Sequence, residues 1–273
     1  MANVIKLRKG LDINLKGKAA KVKGLSGEAF EYALVPDDFT GVSPKVVVHV
    51  GDHVKAGEAL FVNKLYPDVK FASPVSGEVT AVVRGDRRKV IAVKVKADPT
   101  QEFVDYGSVD VKGLKADEVK HRLCESGLFG YINQLPYAVS AQPTDEPKAI
   151  FVSALRDMPL EGDFEVELQG NEKYFQAGLT ALSKIAKTYL GIGAHQQATA
   201  LRDALDVEVN IFDGPCPAGN VGVQVNHLSP VNKGEVVWTV DPSAVIFFGR
   251  LFVDGKVNLV RRVAVAGSEM IDT

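Results

Sequence analysis

At 273 residues, 46% hydrophobic and 24% charged, the chain is long enough for about two domains and has the balance of an ordinary globular protein. A formal net charge of -2 gives no bulk electrostatic case for nucleic acid. The longest apolar run, Ala244 to Phe248, is far short of the roughly 20 residues that cross a bilayer. Two cysteines, Cys124 and Cys216, without a CxxC pair, leave no thiolate set for an iron–sulfur or zinc site and favour a reducing compartment.

In chain order, Met1 to Lys6 has no apolar signal core, so a soluble chain is expected, with any membrane connection made through a partner. Residues 1–100 read as a β-rich unit. Leu11, Ile13 and Leu15 alternate with polar residues, as do Val46, Val48 and Val50. Val79 to Val83 and Val90 to Val95 are Val-rich strands, and glycines separate many short segments, a pattern of sandwiches and barrels. The basic run Arg84 to Lys89 and the pair Arg261-Arg262 read as solvated strand ends, and Asp37-Asp38 after Pro36 as turn chemistry.

Within this unit, Gly51-Asp52-His53-Val54-Lys55-Ala56-Gly57-Glu58-Ala59-Leu60 is followed by Ala72-Ser73-Pro74-Val75-Ser76-Gly77-Glu78-Val79. The paired segments resemble the hairpins of biotinyl and lipoyl carrier domains, which implies a barrel-sandwich hybrid. A carrier would need a modified lysine between them, and Lys64 and Lys70 are the candidates, neither beside a methionine. The other reading is the same scaffold reused for docking.

Residues 101–147 form a connecting segment. Asp117 to Ser126 predicts one short helix with Val119 and Leu123 inward and Gly127 as its stop. Leu128 to Tyr137 is aromatic without helix or strand period, and Gln142 to Pro147 has linker composition. Residues 148–273 change character. Ala149 to Ser153, Val207 to Phe212, Val236 to Val240 and Leu259 to Ala266 read as strands. Tyr174, Leu179, Leu182, Ile185 and Ala186 have helical spacing, and Asp241-Pro242 starts a helix to about Phe252. Alternating strands and helices predict a mainly parallel, Rossmann-like α/β domain, so the chain as a whole is a mixed multidomain α+β protein.

The loop Phe212-Asp213-Gly214-Pro215-Cys216-Pro217-Ala218-Gly219 follows a predicted strand and can offer backbone N–H groups to an anion or a partner. It matches no phosphate fingerprint, and Gly191-Ile192-Gly193 has Gln196 where a third glycine would stand. His49 and His53, on a strand and its turn, do not converge on one metal, so no metal site is expected. His227 reads as a hydrogen-bonded loop residue.

Lys9-Gly10-Leu11-Asp12-Ile13, Gly51 to Lys55, Val69 to Gly77, Arg84-Gly85-Asp86-Arg87-Arg88, Ser126 to Phe129, Ala149 to Ala154, Phe212 to Gly219 and Gly249-Arg250-Leu251-Phe252 follow one another as in the A subunits of the sodium-translocating NADH:quinone oxidoreductases. The resemblance covers essentially the whole chain. Family members continue into a β-grasp domain and a helical tail, so this is expected to be an N-terminal portion. The resemblance implies a peripheral position at the cytoplasmic face of the bacterial inner membrane, docked chiefly to the membrane-embedded B subunit. The complex uses NADH, flavins, iron–sulfur centres and quinone; the flavins, the iron–sulfur centres and the sodium path belong to other subunits, so no cofactor is expected on this chain, which alone is not expected to be catalytic. The family is also related to the flavoprotein subunit of complex I and to the C subunit of the Rnf complexes, which keeps an NADH- or flavin-binding reading open. Two positions depart from the family: Cys216 stands where the loop usually has histidine, and Asn133-Gln134-Leu135-Pro136-Tyr137 replaces a basic run.

The family association with quinone directs attention to aromatic surface, because a quinone head needs ring faces with one or two donors and its tail needs apolar contact. Phe129, Tyr131, Ile132, Leu135, Pro136 and Tyr137 are the candidates, with Phe39 a seventh. The competing reading is that these side chains anchor the connecting segment or meet another subunit. The family loop, Gly214, Pro215, Cys216, Pro217, Ala218 and Gly219, is the second candidate region.

Overall fold

The computed structural model describes residues 3–15, 20–24, 27 and 29–265. The chain starts with β1 (Asn3–Lys6), and the β-rich unit is built from β2 (Glu31–Leu34), β3 (Pro44–Val46), β4 (His53–Val54), β5 (Ala59–Asn63), β6 (Lys70–Ala72), β7 (Gly77–Arg84) and β8 (Val90–Ala97). These seven make a four-stranded sheet ordered β2-β8-β7-β4 and a three-stranded sheet ordered β3-β5-β6. Val-rich alternation puts Val79, Val93 and Val95 inward, where they join Val54, Leu60, Phe61 and Phe71 in one core. The hairpin β5–β6 holds the two candidate lysines. Lys64 is exposed just after β5 and Lys70 is half-buried at the start of β6. The loop between them turns onto the connecting segment, with the Tyr66 hydroxyl donating to Gln142 Oε1 at 2.5 Å.

The predicted helix is α1 (Ala116–Glu125), whose Glu118 carboxylate accepts the Lys115 N–H at 2.8 Å and whose Val119 and Leu123 are fully buried. It ends at Gly127, at φ 77°. The next strands are β9 (Ile132–Leu135), β10 (Val139–Ser140) and β11 (Ile150–Ser153). Then come α2 (Phe164–Leu168), α3 (Glu172–Ile185), β12 (Thr188–Gly193), α4 (Thr199–Arg202), β13 (Glu208–Asp213), α5 (Val221–Leu228), β14 (Val237–Val240) and α6 (Pro242–Asp254). Asp241 caps α6 by accepting the Ser243 N–H at 2.8 Å, with Pro242 in the first turn as expected.

One seven-stranded sheet runs β1-β13-β12-β11-β14-β9-β10. The strands from β1 to β14 are parallel, while β9 pairs antiparallel with β14 and β10 antiparallel with β9. Both faces are covered, which accounts for the near-continuous apolar strands. Ile150 and Val152 of β11 enter the core shared with α3, α6 and the β-rich unit, whereas Phe151 between them packs with Val225 of α5.

Several expectations need correction. Of the run Val46, Val48 and Val50 only Val46 lies in a strand, and Val50, at a turn, is 62% exposed. Leu11, Ile13 and Leu15 form no strand. They are 76%, 62% and 49% exposed in an extended stretch, so their alternation serves no buried face. The strand at this end of the chain is β1, and it joins the α/β sheet beside β13 rather than the β-rich unit. The segment Leu128 to Tyr137 is regular after all: a 3-10 turn at Phe129–Tyr131 leads into β9. Leu259 to Val265 is not a strand, and Ala266 lies outside the described residues.

Candidate functional site

The aromatic candidates separate into a buried set and an exposed set. Phe39 follows the 3-10 turn Pro36–Asp38 and lies edge-on to Phe71 at 4.6 Å, Phe61 at 6.4 Å and Tyr131 at 5.5 Å. Tyr131 in turn meets Phe247 of α6 edge-on at 5.8 Å, and Phe129 meets Trp238 of β14 at 5.5 Å. A chain of rings thus runs from the β5–β6 hairpin through the connecting segment to α6, in the edge-to-face geometry that aromatic quadrupoles favour. Phe39, Phe129 and Ile132 are buried and Tyr131 is half-buried. Burial, and secondarily the Asp38 charge, push the Tyr131 phenol up to about 12, against a smaller opposing effect of Arg261. Leu135 is half-buried at the end of β9, opposite Val237. Pro136 and Tyr137, at the β9–β10 turn, face outward, and Tyr137 is 80% exposed. Only this turn offers the connecting segment's aromatic character at the surface.

The family loop links β13 to α5 at the carboxyl end of the parallel strands. Asn220 caps α5 by accepting the Gly222 N–H at 2.8 Å. The loop's own backbone groups are taken up within the chain. Cys216 N donates to Asp12 Oδ1 at 2.8 Å and Cys216 O accepts from Leu11 N at 2.9 Å, while Gly219 N donates to Asp157 Oδ2 at 2.9 Å. Ser153 Oγ donates to Gly219 O at 2.8 Å and receives Gln224 Nε2 at the same distance. Residues 7–12 therefore lie over this end of the sheet. Ala218 is fully buried and Cys216 half-buried, with its Sγ 3.5 Å from Met158 Sδ. Burial and the charges of Asp157, Asp12 and Glu161 raise the Cys216 thiol above its ordinary range.

A third group, missed in the sequence, sits beside this loop. β11 leads to β12 and β13 on one side of the sheet, and β14 lies on its other side. Between β11 and β14 the strand order reverses, and open α/β sheets take their ligands at such a point, outside the carboxyl ends of the strands. Arg156, three residues past β11, fills it. Its Nη2 lies 3.1 Å from Ser243 Oγ, 3.4 Å from Asp241 Oδ1 and 3.5 Å from Glu167 Oε2. Ser243 Oγ donates to Glu167 Oε2 at 2.9 Å. Glu167 is only 5% exposed, and its Oε1 has no hydrogen-bond partner among the described residues, the Arg261 Nε standing 3.9 Å away. A carboxylate thus sits near the α6 N-terminus, where a doubly wound sheet would take a ligand phosphate. These residues do not fit a dinucleotide or flavin pyrophosphate. The one available sequence signal was a charged residue just past the carboxyl end of a buried strand.

The remaining candidates have local roles. Gly191-Ile192-Gly193 is the end of β12, buried throughout, and a Cβ on Gly191 would come within 2.0 Å of Gln224 Oε1. The glycine there makes room for the side chain that holds the family loop. His53 pairs with Asp98 at 2.9 Å and His49 lies 3.6 Å from Asp52. His227 is on α5 rather than in a loop, its Nδ1 2.8 Å from Val223 O. Cys124 and Cys216 are both free.

Comparison with known proteins covers both units. Residues 5–98 match the family model described as the NqrA N-terminal barrel-sandwich hybrid domain, and residues 114–257 match the NqrA second alpha/beta domain. Relatives named as the A subunit of the Na(+)-translocating NADH-quinone reductase include that of Cellvibrio japonicus, 34% identical over 270 residues, 98% of this chain and 60% of the relative. That of Yersinia pseudotuberculosis is 33% identical over the same shares, and that of Hahella chejuensis 34% identical over 97% of this chain and 60% of its own length. The chain spans about 60% of the length of these curated relatives.

Proposed function

The chain belongs to the NqrA family, and from that premise we propose that it is a docking subunit of a sodium-translocating NADH-quinone reductase, held peripherally at the cytoplasmic face by membrane partners, chiefly the B subunit. In this reading NADH, flavin and iron–sulfur chemistry belong to other subunits, and this chain provides a rigid shoulder. Among the described residues no helix is long and apolar enough to cross a membrane, so contact with the membrane subunits is made by surface.

The observation that carries this reading is the filled switch point. Arg156, Glu167 and Ser243 use the crevice of the α/β sheet for the chain's own ion pair, which favours docking over the NADH- or flavin-binding alternative. The ring contacts from Phe71 through Phe39 and Tyr131 to Phe247 agree with it, because they join the two units into one body. Quinone contact is the finer part of the proposal, and it falls to Leu135, Pro136 and Tyr137 at the β9–β10 turn rather than to the buried rings.

Co-expression with the membrane subunits, followed by crosslink mapping, tests the docking. The expected crosslinks reach the B subunit. Protection of this chain by NADH or flavin against thermal unfolding would overturn the reading. Quinone contact is read from the single tryptophan, Trp238, on the strand paired with β9. Titration with a short-chain quinone is expected to quench it, and equal quenching in Tyr137→Ala would remove that turn from consideration.

A further inference from the structure

The tip of the β7–β8 hairpin carries a concentration of positive charge that the docking reading does not use. Arg84 ends β7, and Asp86, Arg87, Arg88 and Lys89 form the turn before β8. All five are exposed. Lys89 is paired with Asp37 at 2.5 Å. Among the described residues, no carboxylate lies within ion-pair distance of Arg84, Arg87 or Arg88, although the chain as a whole carries more acidic than basic residues, 34 against 32. Apart from the Lys89–Asp37 pair, the side-chain hydrogen bond at the tip among the described residues is internal, Arg84 Nη1 to Arg88 O at 3.2 Å.

Two further features mark the tip. Arg87 and Arg88 are consecutive left-handed residues, φ 53° and 61°, a conformation glycine or asparagine takes with less strain. Arginine at both positions costs the turn some stability relative to glycine. Beside them Ile91 is 44% exposed and leans over Gly85. The tip therefore offers unpaired guanidinium groups around one apolar side chain, at the apex of a hairpin. A convex, basic apex with an apolar side chain fits a plane of anionic headgroups more fully than it fits a groove.

We propose that the Arg84–Lys89 hairpin tip rests on the anionic phospholipid surface and fixes the chain's orientation on the membrane. This rests on the reading that the chain works at a membrane. It adds a second contact, independent of the partner subunits. Guanidinium groups pair with headgroup phosphates, and Ile91 enters the interface between headgroups and acyl chains. Each basic residue near such a surface strengthens binding about fivefold, and the attraction fades as salt shortens the Debye length to ~10 Å at 0.1 M.

Flotation of the purified chain with phosphatidylcholine vesicles, and with equimolar phosphatidylcholine–phosphatidylglycerol vesicles, tests the proposal. Binding to the anionic vesicles is expected to exceed binding to the neutral ones by about a hundredfold at low salt, and to be lost in high salt. The variant Arg87→Gly/Arg88→Gly keeps the turn, since glycine accepts both φ values, and is expected to lower binding about 30-fold with thermal unfolding no lower than that of the wild type. Equal binding to both vesicle types, or undiminished binding by the variant, would overturn the proposal. So would loss of the variant from a detergent-solubilised, lipid-depleted complex, which would assign the tip to an acidic protein face. Crosslinks to the B subunit that persist while vesicle binding fails would sink the lipid contact and leave docking standing.

Discussion

Gly130 lies so close to Phe71 that a Cβ on the glycine would come within 2.3 Å of the ring's Cε1. The two residues belong to different parts of the chain, the 3-10 turn before β9 and strand β6 of the β-rich unit. Their contact marks where the connecting segment is pressed onto the barrel-sandwich core. The same ring stacks on Phe61 at 4.6 Å, with planes 18° apart, so it has little freedom to yield.

Substitution Gly130→Ala is therefore expected to destabilise by about 1–3 kcal/mol, the range for overpacking a well-filled interior. Urea denaturation read by Trp238 fluorescence measures it. Phe71→Leu in the Gly130→Ala background is expected to recover part of the loss by opening space where the methyl group goes. Equal midpoints for wild type and Gly130→Ala would mean the junction is loose.

The Arg156–Glu167 pair makes a second prediction. Arg156→Met leaves the Glu167 carboxylate buried beside Ser243 with only the more distant Arg261 as a cation, 3.9 Å away, and is expected to cost up to about 3–5 kcal/mol. Arg156→Met/Glu167→Leu removes both charges and is expected to recover most of that stability, because burying an ion pair is itself expensive. The same denaturation experiment reads both. A double variant as unstable as the single would show that the pair is not the cause.

Much of this fold was legible where burial is one-sided or a local signal is strong. Val79 to Val95 alternate across a half-buried pair of strands, Asp241-Pro242 caps α6, and Gly127 stops α1. The failures have specific causes. β12 is buried on both faces and carries two glycines, so it shows no alternation and its Gly191-Ile192-Gly193 resembles a loop fingerprint. In β9 the inward positions are Ile132 and Gln134, and a buried glutamine hides the period. Leu11 to Leu15 alternates without a face to bury. The aromatic candidates were visible as a cluster, but one-dimensional order could not separate rings that join two units, Phe39 and Tyr131, from the one at the surface, Tyr137. The Arg156–Glu167–Ser243 group escaped because its members lie 11 and 76 positions apart (Arg156 to Glu167, Glu167 to Ser243) and only the sheet's strand order brings them together.

Cysteine chemistry follows from environment. Burial pushes the Cys124 thiol up to about 12, with Asp68 adding to the rise and Lys120 opposing it. Cys216 is raised by desolvation and by Asp157, Asp12 and Glu161. Since the thiolate is the reactive form, Cys216 is expected to alkylate more slowly than a free thiol near neutral pH, yet well ahead of buried Cys124. Asp157→Asn removes the largest of these three charge effects and is expected to speed the reaction at Cys216 severalfold. Mass spectrometry of iodoacetamide-treated protein reads the sites. Modification of Cys124 first, in folded protein, would contradict the burial seen at α1.

Tyr131 ties the junction to alkaline stability. Its phenol is pushed up to about 12 in the fold, from an ordinary value of 10. The folded state therefore holds the proton more tightly than the unfolded chain. The stability it contributes is fully present below pH 10 and is lost as pH rises from 10 to 12, by at most about 3 kcal/mol for two pH units. Tyr106, also raised to about 12 by burial and by Glu125 and Glu58, adds a loss of the same sign. Tyr131→Phe keeps the ring between Phe39 and Phe247 and removes the titrating group. Its stability relative to wild type is expected to be flat up to pH 10 and to rise from there. Denaturation midpoints measured across that range test this directly. Parallel curves for the two proteins would show that the phenol is solvated in the fold, and that the Phe39–Tyr131–Phe247 contact is open to water.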